Sequence, residues 1–337
     1  MTETKPPDAS EPVSETPPIR ESFYEEPVWK RFYAFLLGPA LLAAVAMAIF
    51  TIGSLLTTDE TDPHKLVETL RQGGEHRRWQ AAFKLTKYLQ PSATDASRGL
   101  QRETDEVYQA KLRQVRVLVP QLMEVWDDPK RGDGEVRRFL ALTFSYLGDE
   151  RTLSRLGDAL GSDDLELVHY ALAAIGSTAG AMRGPVSKGA FQLPGNVEQK
   201  VLEATKRNEA DIRATAMFTL SILGTPTALD RLREGVGDMA PSVAWTAAFG
   251  LARHGDETGS KVIAEILDRG PIFAAVGADP GRQSDLFLNA VRSAGMVPTP
   301  MLWQRLEKIA QSDRNLGARN EAKKLLEKGS KKDLEEG

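Results

Sequence analysis

One helical phrase returns four times in this chain: RRWQAAFKLTKYL at 77–89, VRRFLALTFSYLGD at 136–149, IRATAMFTLSILGT at 212–225 and VAWTAAFGLARHGDE at 243–257. Such repetition constrains the fold more than composition does. A lone amphipathic helix pair cannot bury its own apolar face, so copies must stack on copies. Gly148, Gly224 and Gly255 bring the last three phrases into register. Four residues before each glycine stand Phe144, Leu220 and Leu251; eight before stand Leu140, Ala216 and Ala247; twelve before stand Val136, Ile212 and Val243. Offsets of four, eight and twelve follow one stripe along a helix. That stripe is the expected core. Ala216 and Ala247 allow close helix packing, and the glycines suit left-handed helix caps.

Weaker copies occupy 164–177, 284–295 and 317–329, with Gly176 and Gly295 expected as further helix ends. Each phrase follows a partner helix, expected near 64–73, 105–126, 150–161, 197–206, 226–236, 259–268 and 299–311. No strand alternation interrupts them. The stretches Pro91 to Thr104, Ala181 to Asn196 and Arg269 to Pro280, rich in Gly, Pro or Ser, read as insertions between units.

A pattern of the type V-R-x-x-A-x-x-x-L-x-x-L-G-D, followed by a new helix, resembles HEAT repeats, particularly the short kind of phycobilisome-lyase-like bacterial proteins. Residues 136–149 and 212–225 carry it best; 77–89 and 243–256 follow, with Ala244 in place of the arginine. The resemblance covers roughly 63–329. It implies an all-α fold, a right-handed α-solenoid of about seven helix pairs with a protein-binding concave surface. It also implies that Arg78, Arg137 and Arg213, equivalent in their units, support packing between repeats, along with Ala216 and Ala247.

Upstream the chain changes character. Residues 1–27 hold six prolines and many acidic or small polar residues, which cannot bury enough apolar surface to order the chain. Between Arg31 and Asp59 no residue is charged, and Phe32 to Leu56 is mostly apolar. At about 1.5 Å per residue this run would cross a hydrocarbon core of about 30 Å. It is too long for the apolar core of a secretory signal. The expectation is therefore a transmembrane helix within 28–58, flanked by Trp29, Lys30, Arg31 and Tyr33 at the membrane interface. The run from Phe23 to Trp29 reads either as part of that aromatic belt or as a short docking peptide. Lys30 and Arg31 on one side, against Asp59, Glu60 and Asp62 on the other, place the arm in the cytoplasm. The expected layout is a 1–27 arm, a 28–58 span, a 59–329 solenoid and a charged tail at 330–337, with the solenoid periplasmic on a bacterial inner membrane.

Motifs of catalysis are missing from the sequence. There is no cysteine, which excludes disulfides and thiolate chemistry, and the net charge of −4 leaves no broad footprint for nucleic acid. His64, His76, His169 and His254 do not pair at helical spacing, so no metal is expected. Asp127-Asp128, Asp163-Asp164 and Asp313 read as helix caps, and Gly132-Asp133-Gly134 as a turn. Trp79, Trp126, Trp245 and Trp303 read first as packing residues and second as anchors for a partner. The resulting expectation is a non-enzymatic, cofactor-free, membrane-anchored scaffold that binds an integral membrane protein complex, such as a transporter. An assembly factor for such a complex is the alternative, with a bilin-lyase-like enzyme third.

Overall fold

The computed structural model describes residues 62–90, 106–183, 193–277, 279–297 and 299–336. Among the described residues every regular element is helical and there is no strand. In chain order the α-helices are α1 (Pro63–Gln72), α2 (Glu75–Leu89), α3 (Glu106–Arg116), α4 (Val119–Asp127), α5 (Gly134–Leu147), α6 (Leu153–Ala159), α7 (Leu165–Arg183) and α8 (Val197–Ala204). They continue as α9 (Ala210–Leu223), α10 (Pro226–Gly235), α11 (Pro241–Arg253), α12 (Ser260–Leu267), α13 (Pro271–Ala274), α14 (Pro280–Met296), α15 (Pro300–Ser312) and α16 (Leu316–Glu336).

Helix starts follow a simple chemical rule. Asp62-Pro63, Thr225-Pro226, Asp279-Pro280 and Thr299-Pro300 each join a capping side chain to a proline at the first helical position. The side-chain oxygen accepts from a free backbone N–H, and proline has no N–H there to leave unsatisfied. Asp133 does the same for α5, accepting from the Val136 N–H at 2.9 Å. Gly148 and Gly224 end α5 and α9 at φ of +55° and +61°, left-handed conformations that a side chain would strain.

The helices pair as α1–α2, α4–α5, α6–α7, α8–α9, α10–α11, α12–α14 and α15–α16. The second helices of the pairs also pack on one another in sequence, α2 on α5, then α7, α9, α11, α14 and α16. We call these the second row. Their shared apolar stripe is the core: Val136, Leu140, Phe144, Ala216, Leu220, Val243, Ala247 and Leu251 are each 0% exposed. The buried apolar residues form two clusters. One runs from Leu66 to Leu251 and the other from Ala248 to Ala322, so the division falls within α11.

Four local expectations need correction. The single helix expected over 105–126 breaks between α3 and α4, because Pro120 has no N–H for the helical ladder and its ring crowds the carbonyl four residues back. Gly176 does not end a helix but lies inside α7, and Gly295 stands one residue before the end of α14. There they admit neighbours: a Cβ would meet Ile222 Cδ1 at 3.1 Å in the first case and Leu325 Cδ2 at 2.6 Å in the second. Gly255 has φ of +74°, but α11 ends two residues earlier at Arg253. Asp127 caps no helix start; it is the last residue of α4 and pairs with Arg155.

The expected single-pass placement on a bacterial inner membrane is also withdrawn. Among the described residues no helix is long and apolar enough to cross a membrane. The span expected over 32–56, the arm at 1–27, and Trp29, Lys30, Arg31 and Tyr33 lie outside the described residues.

Candidate functional site

Arg78, Arg137 and Arg213 are each the fourth residue of their helix. All three guanidinium groups turn to backbone carbonyls near the end of the preceding helix. Arg78 donates to Gly73 O at 3.0 Å and to Lys130 O at 2.9 Å. Arg137 donates twice to Trp126 O, at 3.1 and 3.0 Å. Arg213 donates to Arg207 O and Asn208 O, and its other two nitrogens take both Asp238 oxygens at 2.9 Å. A helix C-terminus leaves carbonyls without partners and carries partial negative charge, which a planar cation with several donors satisfies well. These arginines are thus occupied within the array. Arg319 is a fourth member that the four repeat phrases do not contain; it is the fourth residue of α16 and donates to Asp313 O. The only hint of it in the sequence was its spacing from the helix start, since Gly317 and Ala318 replace the usual bulkier residues.

The Arg213–Asp238 pair has an electrostatic signature. The Arg213 guanidinium, bonded to Asp238, holds that carboxyl below the usual carboxylate range, and a backbone N–H from Ala240 adds to this. Asp149 is lowered in the same way by its bond to Arg151.

The four tryptophans part company. Trp126 is only 6% exposed and packs on Phe144, ring centroids 5.7 Å apart, so it is core and unavailable to a partner. Trp303 is partly buried beneath α16, where a Cβ on Gly329 would stand 2.2 Å from its ring. Trp79 is partly buried, its indole N–H donating to His76 Nδ1 at 3.2 Å. Trp245 lines an open groove.

That groove arises from helical geometry. The core stripe uses the third, seventh and eleventh residues of α9 and α11. Two residues further on, about 200° around the helix, come the fifth, ninth and thirteenth: Ala214, Phe218 and Ile222 on α9, and Trp245, Phe249 and Arg253 on α11. Ala214 and Ile222 of this second stripe pack on the edge of the core, while Phe218, Trp245, Phe249 and Arg253 line the groove. In α11 the stripe carries two aromatic rings. Across from them α14 presents Asp285, Asn289, Arg292 and Met296, and the short connection after α13 adds Val276. The open recess measures about 750 Å³. Phe218 is 51% exposed and Met296 53%, while Trp245 and Phe249 rest partly buried on the C-terminal cluster. Aromatic rings held partly buried by a packed helix, with an open edge, offer contact area at little ordering cost, the usual make-up of a binding hot spot.

His254 ties the end of α11 to α9. It follows α11, and its Nε2 donates to Ser221 O at 2.8 Å, which fixes the proton on that nitrogen. Its ring lies against Gly224, where a Cβ would come within 2.3 Å. His169 Nδ1 bonds the Thr215 hydroxyl at 3.0 Å, a contact between α7 and α9.

No family model matches the sequence, and no curated protein does. Among solved structures, human deoxyhypusine hydroxylase in complex with glycerol is similar over 82% of this chain and 98% of that one, at 18% identity and a TM-score of 0.32. That protein is an enzyme; a likeness this distant carries nothing over to the present chain, and the expectation that the chain has no enzymatic activity is withdrawn. A helical array of this class does not by itself exclude catalysis.

Proposed function

We propose that the chain is a HEAT-type solenoid whose second row holds a partner protein, with the groove between α9, α11 and α14 as the contact. One observation carries this reading: Phe218, Trp245, Phe249 and Met296 converge on one open space outside the core. Exposed apolar side chains scattered singly need no explanation, but several lining one recess mark a binding surface. The repeat phrases and the occupied arginines support the solenoid part, because they account for how one pair docks on the next. The helices that frame the groove are packed into the two core clusters, so a partner meets a preformed site.

A photo-crosslinking amino acid placed at position 218 tests this in the producing cell, with position 239, where Met239 is 97% exposed, as the control. Crosslinks to a protein at 218 that vanish when Trp245 is replaced by alanine, with none at 239, are the expected result. Equal capture at both positions, or none at 218, would reject the groove as the contact.

A further inference from the structure

The chemistry of the groove specifies its occupant further, on the premise that it binds protein. We infer that it takes a short segment of a partner bearing two apolar side chains and, beside them, a carboxylate that meets Arg253.

The geometry is one of spacing along α11. Trp245, Phe249 and Arg253 stand at intervals of four residues on one stripe, so about 6 Å separates each from the next along the axis. The first two offer ring faces and edges. The third offers a guanidinium at the end of the helix, where the dipole favours a cation.

Arg253 differs from the other cations of this groove. Arg282 pairs with Asp279 at 3.6 Å, and Arg292 approaches Glu321 at 3.8 Å. Among the described residues, Arg253 meets no carboxylate or carbonyl, although it is exposed and lines the groove. Several arginines elsewhere in the array turn to carbonyl or carboxylate oxygens, as Arg78, Arg137, Arg207, Arg231 and Arg305 do. An arginine left open beside two partly buried aromatic rings complements an anionic group on an apolar ligand. The carboxylate of a peptide fits the planar fork of the guanidinium in two-point contact. Asp211, in the first turn of α9, also lines the groove and disfavours a second acidic group at that position. A uniformly acidic segment therefore fits less well than one with its acid at the Arg253 end.

The test is a selection of random 16-residue peptides, displayed on phage, against the full chain. Enriched peptides should carry two aromatic or leucine side chains within about five residues, followed by Asp or Glu. Their affinity should fall at least tenfold for both Phe218→Asp and Arg253→Glu. Changing the peptide's acid to lysine should restore binding to Arg253→Glu and weaken binding to the unaltered chain. Because that rescue is a gain of binding, a misfolded variant cannot mimic it. No enrichment, enriched peptides without an acid, or binding indifferent to Arg253→Glu would overturn the inference. Peptides lost with Phe218→Asp yet indifferent to Arg253→Glu would sink only the carboxylate and leave the protein-binding reading standing. A negative crosslinking result at position 218 would sink the reading itself.

Discussion

The stack from α5 through α11 and the junction between α11 and α14 are built from the same kind of helix, yet one is closed and the other open. In the closed part small residues meet where second-row helices touch. Gly176 of α7 admits Thr219 and Ile222 of α9, and Gly250 of α11 faces Ser221 of α9, where a Cβ would come within 2.7 Å. Two buried hydroxyls bond across seams of this kind, Thr86 of α2 with Thr143 of α5 at 2.9 Å and Thr219 of α9 with Leu172 O of α7 at 3.0 Å. At the α11–α14 junction the facing surfaces are large or charged instead: Trp245 and Phe249 on one side, Asp285, Asn289 and Arg292 on the other. The inserted turn of α13 lies beside them, and the division of the core into two clusters falls in α11. Helices close up when small groups let backbones approach; bulky amphipathic ones hold them apart and leave a recess.

The contrast breaks most readily through stability. Phe144, 0% exposed in the closed stack, should cost about 3–5 kcal/mol when replaced by alanine, from lost burial plus the cavity left behind. Chemical denaturation measures this. Trp245→Ala, though the larger truncation, should cost less than half as much, because its ring already faces solvent on one side. Similar costs for the two would show that the groove is ordinary core.

Next comes the Arg213–Asp238 pair, which ties the start of α9 to the turn before α11, with side chains 17% and 15% exposed. Asp238→Asn should destabilise by about 2–4 kcal/mol at neutral pH, since it leaves a largely covered guanidinium short of its anion. The pH dependence has a definite sign. Asp238 is held below the usual carboxylate range in the fold, so its contribution is fully present above the unfolded value of about 3.9 and is lost as pH falls through the lower folded value. A denaturation series from about pH 6 downward should therefore show a shallower acid loss for Asp238→Asn than for the unaltered chain. Identical slopes would mean the pair contributes nothing.

Gly176→Val probes the close seam itself. The added carbons would press on Ile222 and Thr219, at an expected cost of about 1–3 kcal/mol from overpacking. A neutral effect in thermal melts would mean that α7 and α9 have room to separate, and the distinction between seam and groove would blur. The smallest effect belongs to Arg253→Glu, which should stay within about 0.5 kcal/mol because this residue is exposed and without a partner in the array. A larger loss would show that Arg253 serves the fold.

The helical class and the core stripe were legible in the phrases because both depend on local periodicity. Val136, Leu140 and Phe144 repeat at four residues whatever their neighbours do, and burial follows from that face being apolar. Helix starts were less legible: Thr-Pro and Asp-Pro mark four of them by joining a cap to a fixed φ, whereas Asp127 and Asp128, read as caps, lie at the end of α4. Glycine was not legible in the same way. Gly148 and Gly224 end helices, whereas Gly176 sits within one and Gly295 one residue short of an end, and nothing local separates the two uses; the first serves a backbone angle, the second a neighbour's side chain. The tryptophans carry the same ambiguity, Trp126 buried and Trp245 open on the groove.

What the amino-acid sequence determined alone is that this part of the chain is helical and which stripe of each helix turns inward, because both properties are set within a few residues of backbone. Which stripes then face an empty space was decided only by tertiary structure. The groove is made by residues from Asp211 to Met296, and no periodicity along one helix reports the distance to another. The same holds for Arg213, whose partner Asp238 lies 25 residues away and becomes its neighbour only when α10 folds back between them.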